Sequence, residues 1–188
     1  MTRWHHGRVT TLPRGRPLSK RDLETMPEDG HRYELIDGSL LVSPAPTWRH
    51  QRVVGRLWRL LDDACPEGLE AFVAPLDVVL ADDTVVLPDV LVARRSDLGD
   101  RDLPAPPLLA VEVRSPSTAR VDRWLKWSTY EAAGVSSYWI VDPDEPSLTA
   151  WDLVQGRYVE TGPVRGAEEF AAQRPFPVRV IPSHLVAD

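Results

Sequence analysis

Three apolar runs in this chain each carry one acid where a sheet interior calls for a hydrophobic side chain. Glu34 lies in "YELI", Asp89 in "VVLPDVLV" and Glu112 in "LAVEV". Burying an uncompensated carboxylate costs several kcal/mol or more. Taken singly, each reads as an acid satisfied by backbone N–H groups or an arginine. Three such acids in one small domain repel one another unless something positive sits among them. A hard divalent cation is the simplest candidate. Mg²⁺ takes oxygen ligands, usually one or two carboxylates completed by water and substrate phosphate.

The pattern around these runs defines the fold class. Ser19 caps a short helix, "KRDLETM", with Asp22 as its reciprocal partner. Asp37-Gly38 between two apolar runs is a strong hairpin signal and pairs Tyr33–Ile36 with Ser39–Val42. Thr47 opens a helix to about Ala64, with an apolar stripe of Val53, Val54, Leu57, Trp58, Leu60 and Leu61. "EAFVAPLDVVL" and "TVVLPDVLVA" read as a second hairpin. "SPST" caps a helix from about Arg120 to Ala133, stopped by Gly134. "SSYWIVD" is a strand, and "SLTAWDLV" with "RYVETG" makes a third hairpin. From Pro163 onward little pattern remains. The order predicts an α/β domain, a central mixed β-sheet flanked by helices with an N-terminal β-hairpin.

At 188 residues one domain is expected, residues 18–188, preceded by a basic arm, residues 1–17. Within the first 21 residues Arg3, Arg8, Arg14, Arg16, Lys20 and Arg21 all come before the first acid, Asp22. No uninterrupted apolar run reaches membrane-spanning length, and the start lacks the apolar core of a signal peptide. Cys65 is the sole cysteine, which excludes a disulfide framework and a thiolate metal cluster and points to the cytoplasm. The net charge of -6 argues against coating nucleic acid by bulk attraction, but leaves room for a local basic patch.

Two further residues are placed to reach the acids. Asp122 and Lys126 share a helix face at i, i+4. As an ordinary surface pair they carry no chemistry. Turned inward, Lys126 orients a water or stabilises charge on a phosphate. Lysine is rare in this arginine-rich chain. His50 begins the long helix and is a second candidate. Pro88 has no N–H to give a ladder, so it bends the chain and turns Asp89 toward a site. Along "LAVEV", alternation puts Val111 and Val113 on one face and Ala110 with Glu112 on the other.

On these residues the chain resembles the PD-(D/E)XK restriction-endonuclease-like superfamily, and within it the Uma-type restriction-endonuclease family. The resemblance spans Leu18 to Tyr158 and rests on "YELIDGSL", "RHQRVVGRL", "LPDVLV", "VEVRSPST", "DRWLKWSTYEAAGV" and "YWIVDP", in that order. It implies a restriction-endonuclease-like core and Mg²⁺- or Mn²⁺-dependent hydrolysis of phosphodiester bonds in DNA. Asp89 matches the acid of the "PD" motif and Glu112 the second acid, and both are implied metal ligands. The superfamily expects lysine where this chain has Arg114, which stays charged and cannot accept a proton. In the Uma-type group that lysine has moved to the following helix, where Lys126 stands. Glu34 and His50 match polar residues the group places near the same site.

Other readings compete. A nuclease-like fold that no longer cuts, serving as a nucleic-acid-binding or regulatory module, is favoured by Arg114 and by the acidic charge. A two-carboxylate glycosidase with tryptophans lining a sugar site is weaker, because Trp58, Trp124, Trp127 and Trp139 fall in patterned elements and read as packing. No Gly-x-Ser-x-Gly elbow supports a serine hydrolase. The chemistry of double-strand cleavage, which wants two active sites, makes a homodimer a natural arrangement.

Overall fold

The computed structural model describes residues 12, 13, 15–115 and 122–187, with the side chains of Asp122 and Arg123 excepted. Most of the basic arm, and the expected "SPST" cap beyond Ser115, lie outside the described residues.

Local chemistry accounts for the first elements. α1 (Lys20–Leu23) follows Ser19, whose N–H donates to Asp22 Oδ2 at 2.8 Å. The helix is shorter than the "KRDLETM" pattern. β1 (Arg32–Ile36) and β2 (Ser39–Ser43) pair antiparallel across Asp37 (φ 48°) and Gly38 (φ 71°). Both turn residues are left-handed, as a tight two-residue hairpin requires. In α2 (Trp48–Ala64) the Thr47 hydroxyl accepts from the His50 N–H at 3.3 Å and caps the first turn. Val53, Val54, Leu57 and Leu61 bury one face of this helix.

The expected second hairpin is instead split between two sheets. Its first run divides into β3 (Leu69–Val73) and β4 (Val78–Ala81), and its second into β5 (Thr84–Val86) and β6 (Val90–Arg94). β4 and β5 form a hairpin that joins β1 and β2 in a four-stranded sheet of order β2-β1-β5-β4. β3 and β6 pair with each other in the main sheet. The break in each run falls at a proline, Pro75 in the first and Pro88 in the second. Neither residue can donate to a ladder, so each run leaves one sheet there and enters the other.

The rest of the main sheet comes from β7 (Leu109–Val113), β8 (Ser137–Asp142), β9 (Ser147–Val154) and β10 (Arg157–Glu160). Its order is β10-β9-β8-β7-β6-β3, with β11 (Val164–Arg165) also on β9. β7 and β8 run parallel, and the return is made through α3 (Asp122–Ala133); the other pairs are antiparallel. The tail, expected to hold little pattern, forms the pair β12 (Phe170–Ala172) and β13 (Val178–Val180), then α4 (Pro182–Val186). The fold is the expected mixed α/β arrangement, a central mixed sheet with helices around it and an N-terminal hairpin.

Two cores lie on the two faces of the main sheet. Leu109, Val111 and Val113 pack with Val53, Leu57 and Leu61 of α2. Ala110 packs with Tyr130 of α3, with Tyr138, and with Ile36 and Val86 of the small sheet. Glu112 therefore leaves β7 on the α3 side, and it lies opposite Val111 and Val113, as alternation predicted. Trp139 is buried, and Trp58 and Trp127 are half-buried. Trp124 departs from the packing expected of it and is 70% exposed. Among the described residues no helix is long and apolar enough to cross a membrane.

Candidate functional site

The register of the sheet explains how two acids 23 residues apart meet. β6 and β7 pair through Val90–Val111, Leu91–Ala110 and Val92–Leu109. Continuing one step places Asp89 opposite Glu112. Regular pairing stops there because Pro88 precedes Asp89. The Asp89 side chain takes over the ladder's work, and its Oδ2 accepts from the Val113 N–H at 2.8 Å. The carboxylate is thus fixed to the strand that carries Glu112.

Asp89 is buried and bonded on both oxygens. Arg32 Nη1 donates to Oδ1 at 2.6 Å, and His50 Nε2 lies 3.1 Å from Oδ2. An ionised carboxylate only accepts, so His50 carries its proton on Nε2 in this contact. His50 Nδ1 and Arg32 Nε are then buried without a hydrogen-bond partner. Burial disfavours the charge on Asp89, but the His50 hydrogen bond and the Arg32 guanidinium outweigh it and hold the pKa below the ordinary aspartate value.

The other half of the site is built around Lys126. Its ammonium lies 2.9 Å from Glu34 Oε1 and 3.1 Å from Glu112 Oε1. Glu34 Oε1 also accepts from the Leu87 N–H at 2.8 Å, and Glu112 Oε1 accepts from the Tyr130 hydroxyl at 2.9 Å. Burial alone would depress the Lys126 pKa; the charges of Glu112 and Glu34 reverse this and raise it. Lys126 is therefore a permanent cation at neutral pH and not a proton acceptor. Burial pushes Glu112 up to about 8, and the charges of Asp89 and Glu34 add to the push against the pull of Lys126. Tyr130 is raised well above its ordinary value, first by burial and then by the Glu112 charge.

All five residues singled out in the sequence, Glu34, His50, Asp89, Glu112 and Lys126, thus fall in one region, grouped into two halves. Arg32 lies within reach of both, since Glu112 and Glu34 as well as Asp89 raise its pKa, against the lowering effect of burial. Among the described residues, no three histidine, cysteine, aspartate or glutamate side chains converge tightly enough to form a ready-made metal cage. Arg114 is turned to Asp142, with which it forms an ion pair, and its side chain is 44% exposed. It does not take the place of a motif lysine beside the acids.

Sequence reasoning missed Arg32 and Tyr130. Both had a signal. Arg32 is two residues before Glu34 on β1 and so shares its face. Tyr130 is four residues after Lys126 on α3 and shares its side of the helix.

Comparison with known proteins identifies the family and the fold. A family model described as "Uma2: Putative restriction endonuclease" matches residues 21–182. Among solved structures, a protein titled "a putative nuclease belonging to DUF820" from Anabaena variabilis superposes with a TM-score of 0.68 at 17% identity, covering 85% of this chain and 90% of that one. At that identity the likeness is one of fold. No curated protein matches the chain. The fold is that of a nuclease-like α/β protein. The chain belongs to the Uma2 restriction-endonuclease family.

Proposed function

We propose that the protein is a metal-dependent endonuclease that hydrolyses phosphodiester bonds in DNA, with Asp89 and Glu112 as metal ligands. The observation that carries this reading is the meeting of Glu112, Glu34 and a buried Lys126 beside an Asp89 that is hydrogen-bonded to the same strand end. The donor set suits Mg²⁺ or Mn²⁺. Glu112 Oε1 takes both the Lys126 and the Tyr130 hydrogen bonds, which leaves Oε2 for a further ligand, and the side chain is 17% exposed. Three acids face two cations, Arg32 and Lys126, and burial, with the charges of Asp89 and Glu34 adding to it, pushes the Glu112 carboxyl up to about 8 so that it holds a proton at neutral pH. Asp89 and Glu112 would hold a hard divalent ion in place of such a proton. When bound there it supplies charge stabilisation and a water of lowered pKa.

The chain's own groups do the rest. Lys126, held between Glu34 and Glu112, directs positive charge at the phosphate and orients the attacking water. His50 donates to Asp89 and fixes its orientation. Arg32 pairs with Asp89 and, with a quarter of its side chain exposed, would be placed to turn to substrate phosphate were the carboxylate to hold a metal. Cutting both strands needs two such sites, which a homodimer on one duplex supplies.

The test is incubation of plasmid DNA with purified protein and Mg²⁺ or Mn²⁺. Nicking or linearisation is expected, and Asp89→Ala and Glu112→Ala abolish it. A wild type that binds no divalent ion at millimolar levels sinks the reading. A second reading, a non-cutting nucleic-acid-binding module, is favoured by the two hydrogen bonds that occupy both Asp89 oxygens and by Arg114 in the motif position. Calorimetry with Mn²⁺ separates them, because a module of that kind has no use for the ion.

A further inference from the structure

The first two turns of α2 present an aromatic ring and two cations at the surface. Trp48 is 63% exposed. The guanidinium carbons of Arg52 and Arg49 lie 4.8 Å and 5.4 Å from its ring centroid. Arg52 also donates to the Ala187 carbonyl at 3.3 Å, which steadies it over the indole. Arg49 is exposed. Together with Pro143 and Val186 these three side chains line a cleft of about 270 Å³.

The position of the cleft gives it meaning. Trp48 and Arg49 immediately precede His50, whose ring reaches Asp89. Pro143 follows the end of β8, where Val141 pairs with Val113 and Asp142 holds Arg114. The cleft therefore lies on the α2 side of the sheet end at which β6 begins and β7 and β8 finish, the side from which His50 reaches Asp89 and opposite the one on which Glu112 leaves β7. Its rim is arginine, in a chain whose net charge is -6. A large exposed indole beside such cations is poorly suited to water and well suited to a π-face bearing a phosphate.

We propose that Trp48, with Arg49 and Arg52, seats an unpaired base of the DNA strand whose neighbouring phosphate enters the carboxylate site. The inference rests on the nuclease reading and narrows its substrate to DNA with at least one unstacked base, such as a single strand or a frayed end. Stacking on Trp48 needs a base free of its duplex neighbours. Arg49 and Arg52 take the flanking phosphates, and neither residue type selects a base identity, so the cleft reads strand state rather than sequence.

The experiment is fluorescence anisotropy of labelled oligonucleotides in EDTA, so that no cleavage intervenes. Single-stranded DNA, a blunt duplex of the same sequence and single-stranded RNA are compared. Trp48→Ala is expected to weaken single-stranded DNA binding by about 5- to 150-fold and to leave the blunt duplex nearly unchanged. Trp48→Phe retains most of the affinity, which a lost packing contact would not restore. Arg49→Ala weakens both DNA ligands and lowers the salt slope by about one. Unchanged melting temperatures show that the variants fold. Wild-type affinity in Trp48→Ala, an equal loss on the duplex, or tighter binding of RNA than of DNA each overturns the inference. A protein that cuts DNA while Trp48→Ala binds normally loses only this inference; one that binds through Trp48 but never cuts with metal loses the nuclease reading instead.

Discussion

Glu112→Gln isolates the charge at the centre of the site. The amide keeps an oxygen to accept from Lys126 and Tyr130, as Glu112 Oε1 does, and it cannot ionise. In the wild type, burial lifts this carboxyl from an ordinary value of 4.5 to about 8. At about 1.36 kcal/mol per unit the ionised form is disfavoured by at most about 5 kcal/mol. Water reaching the 17% exposed side chain reduces this, and we expect about 2–4 kcal/mol. The sign follows from linkage: the folded pKa lies above the unfolded one, so this contribution is complete below the unfolded value and is lost as pH rises through the folded one. Wild type and Glu112→Gln should melt together near pH 4.5 in EDTA. By about pH 9 the wild type should melt roughly 5–15 °C below the variant. Circular-dichroism melts across this range measure the gap. A gap that does not change with pH refutes the reasoning, because Glu112 would then ionise as it does in the unfolded chain. Millimolar Mg²⁺ should narrow the gap at high pH in the wild type, and it has no carboxylate to act on at this position in the variant.

Lys126→Met leaves Glu34 and Glu112 facing each other without their shared cation, so urea denaturation at neutral pH should show a loss of about 3–5 kcal/mol. Arg32→Ala removes the competitor for Asp89 Oδ1, and calorimetry should show Mn²⁺ binding several-fold more tightly than to wild type; weaker binding would mean that Arg32 organises the ion pocket. Leu57→Ala, fully buried against β7 and away from the charges, should cost about 2–5 kcal/mol in urea melts without altering the pH profile of stability.

The acids were legible because each breaks a local rule. A charge inside an apolar strand stands out in "YELI", "LPDV" and "LAVEV" without any knowledge of tertiary structure. His50 and Lys126 stood out by position, one in a capped first turn and one as a rare lysine on a helix. Arg32 breaks no rule. An arginine at the start of a strand is ordinary, and only its two-residue spacing from Glu34 hinted that it shares the acid's face. The split of the second hairpin was hidden for a related reason. β3, β4, β5 and β6 have the same β-branched, apolar character, and hairpin pairing is the cheapest use of adjacent strands. Pro75 and Pro88 marked where pairing must stop, but not that the chain resumes in another sheet, since that choice depends on β1 and β2 offering β5 an edge. Pro88 is therefore where fold and site coincide: it ends the small-sheet strand, and the next residue is the carboxylate that bonds Val113, Arg32 and His50. A nuclease reading needs Asp89 to exchange one of those partners for a cation. Arg32 is the partner suited to leave, because its own side chain is 25% exposed while His50 is held at 5%.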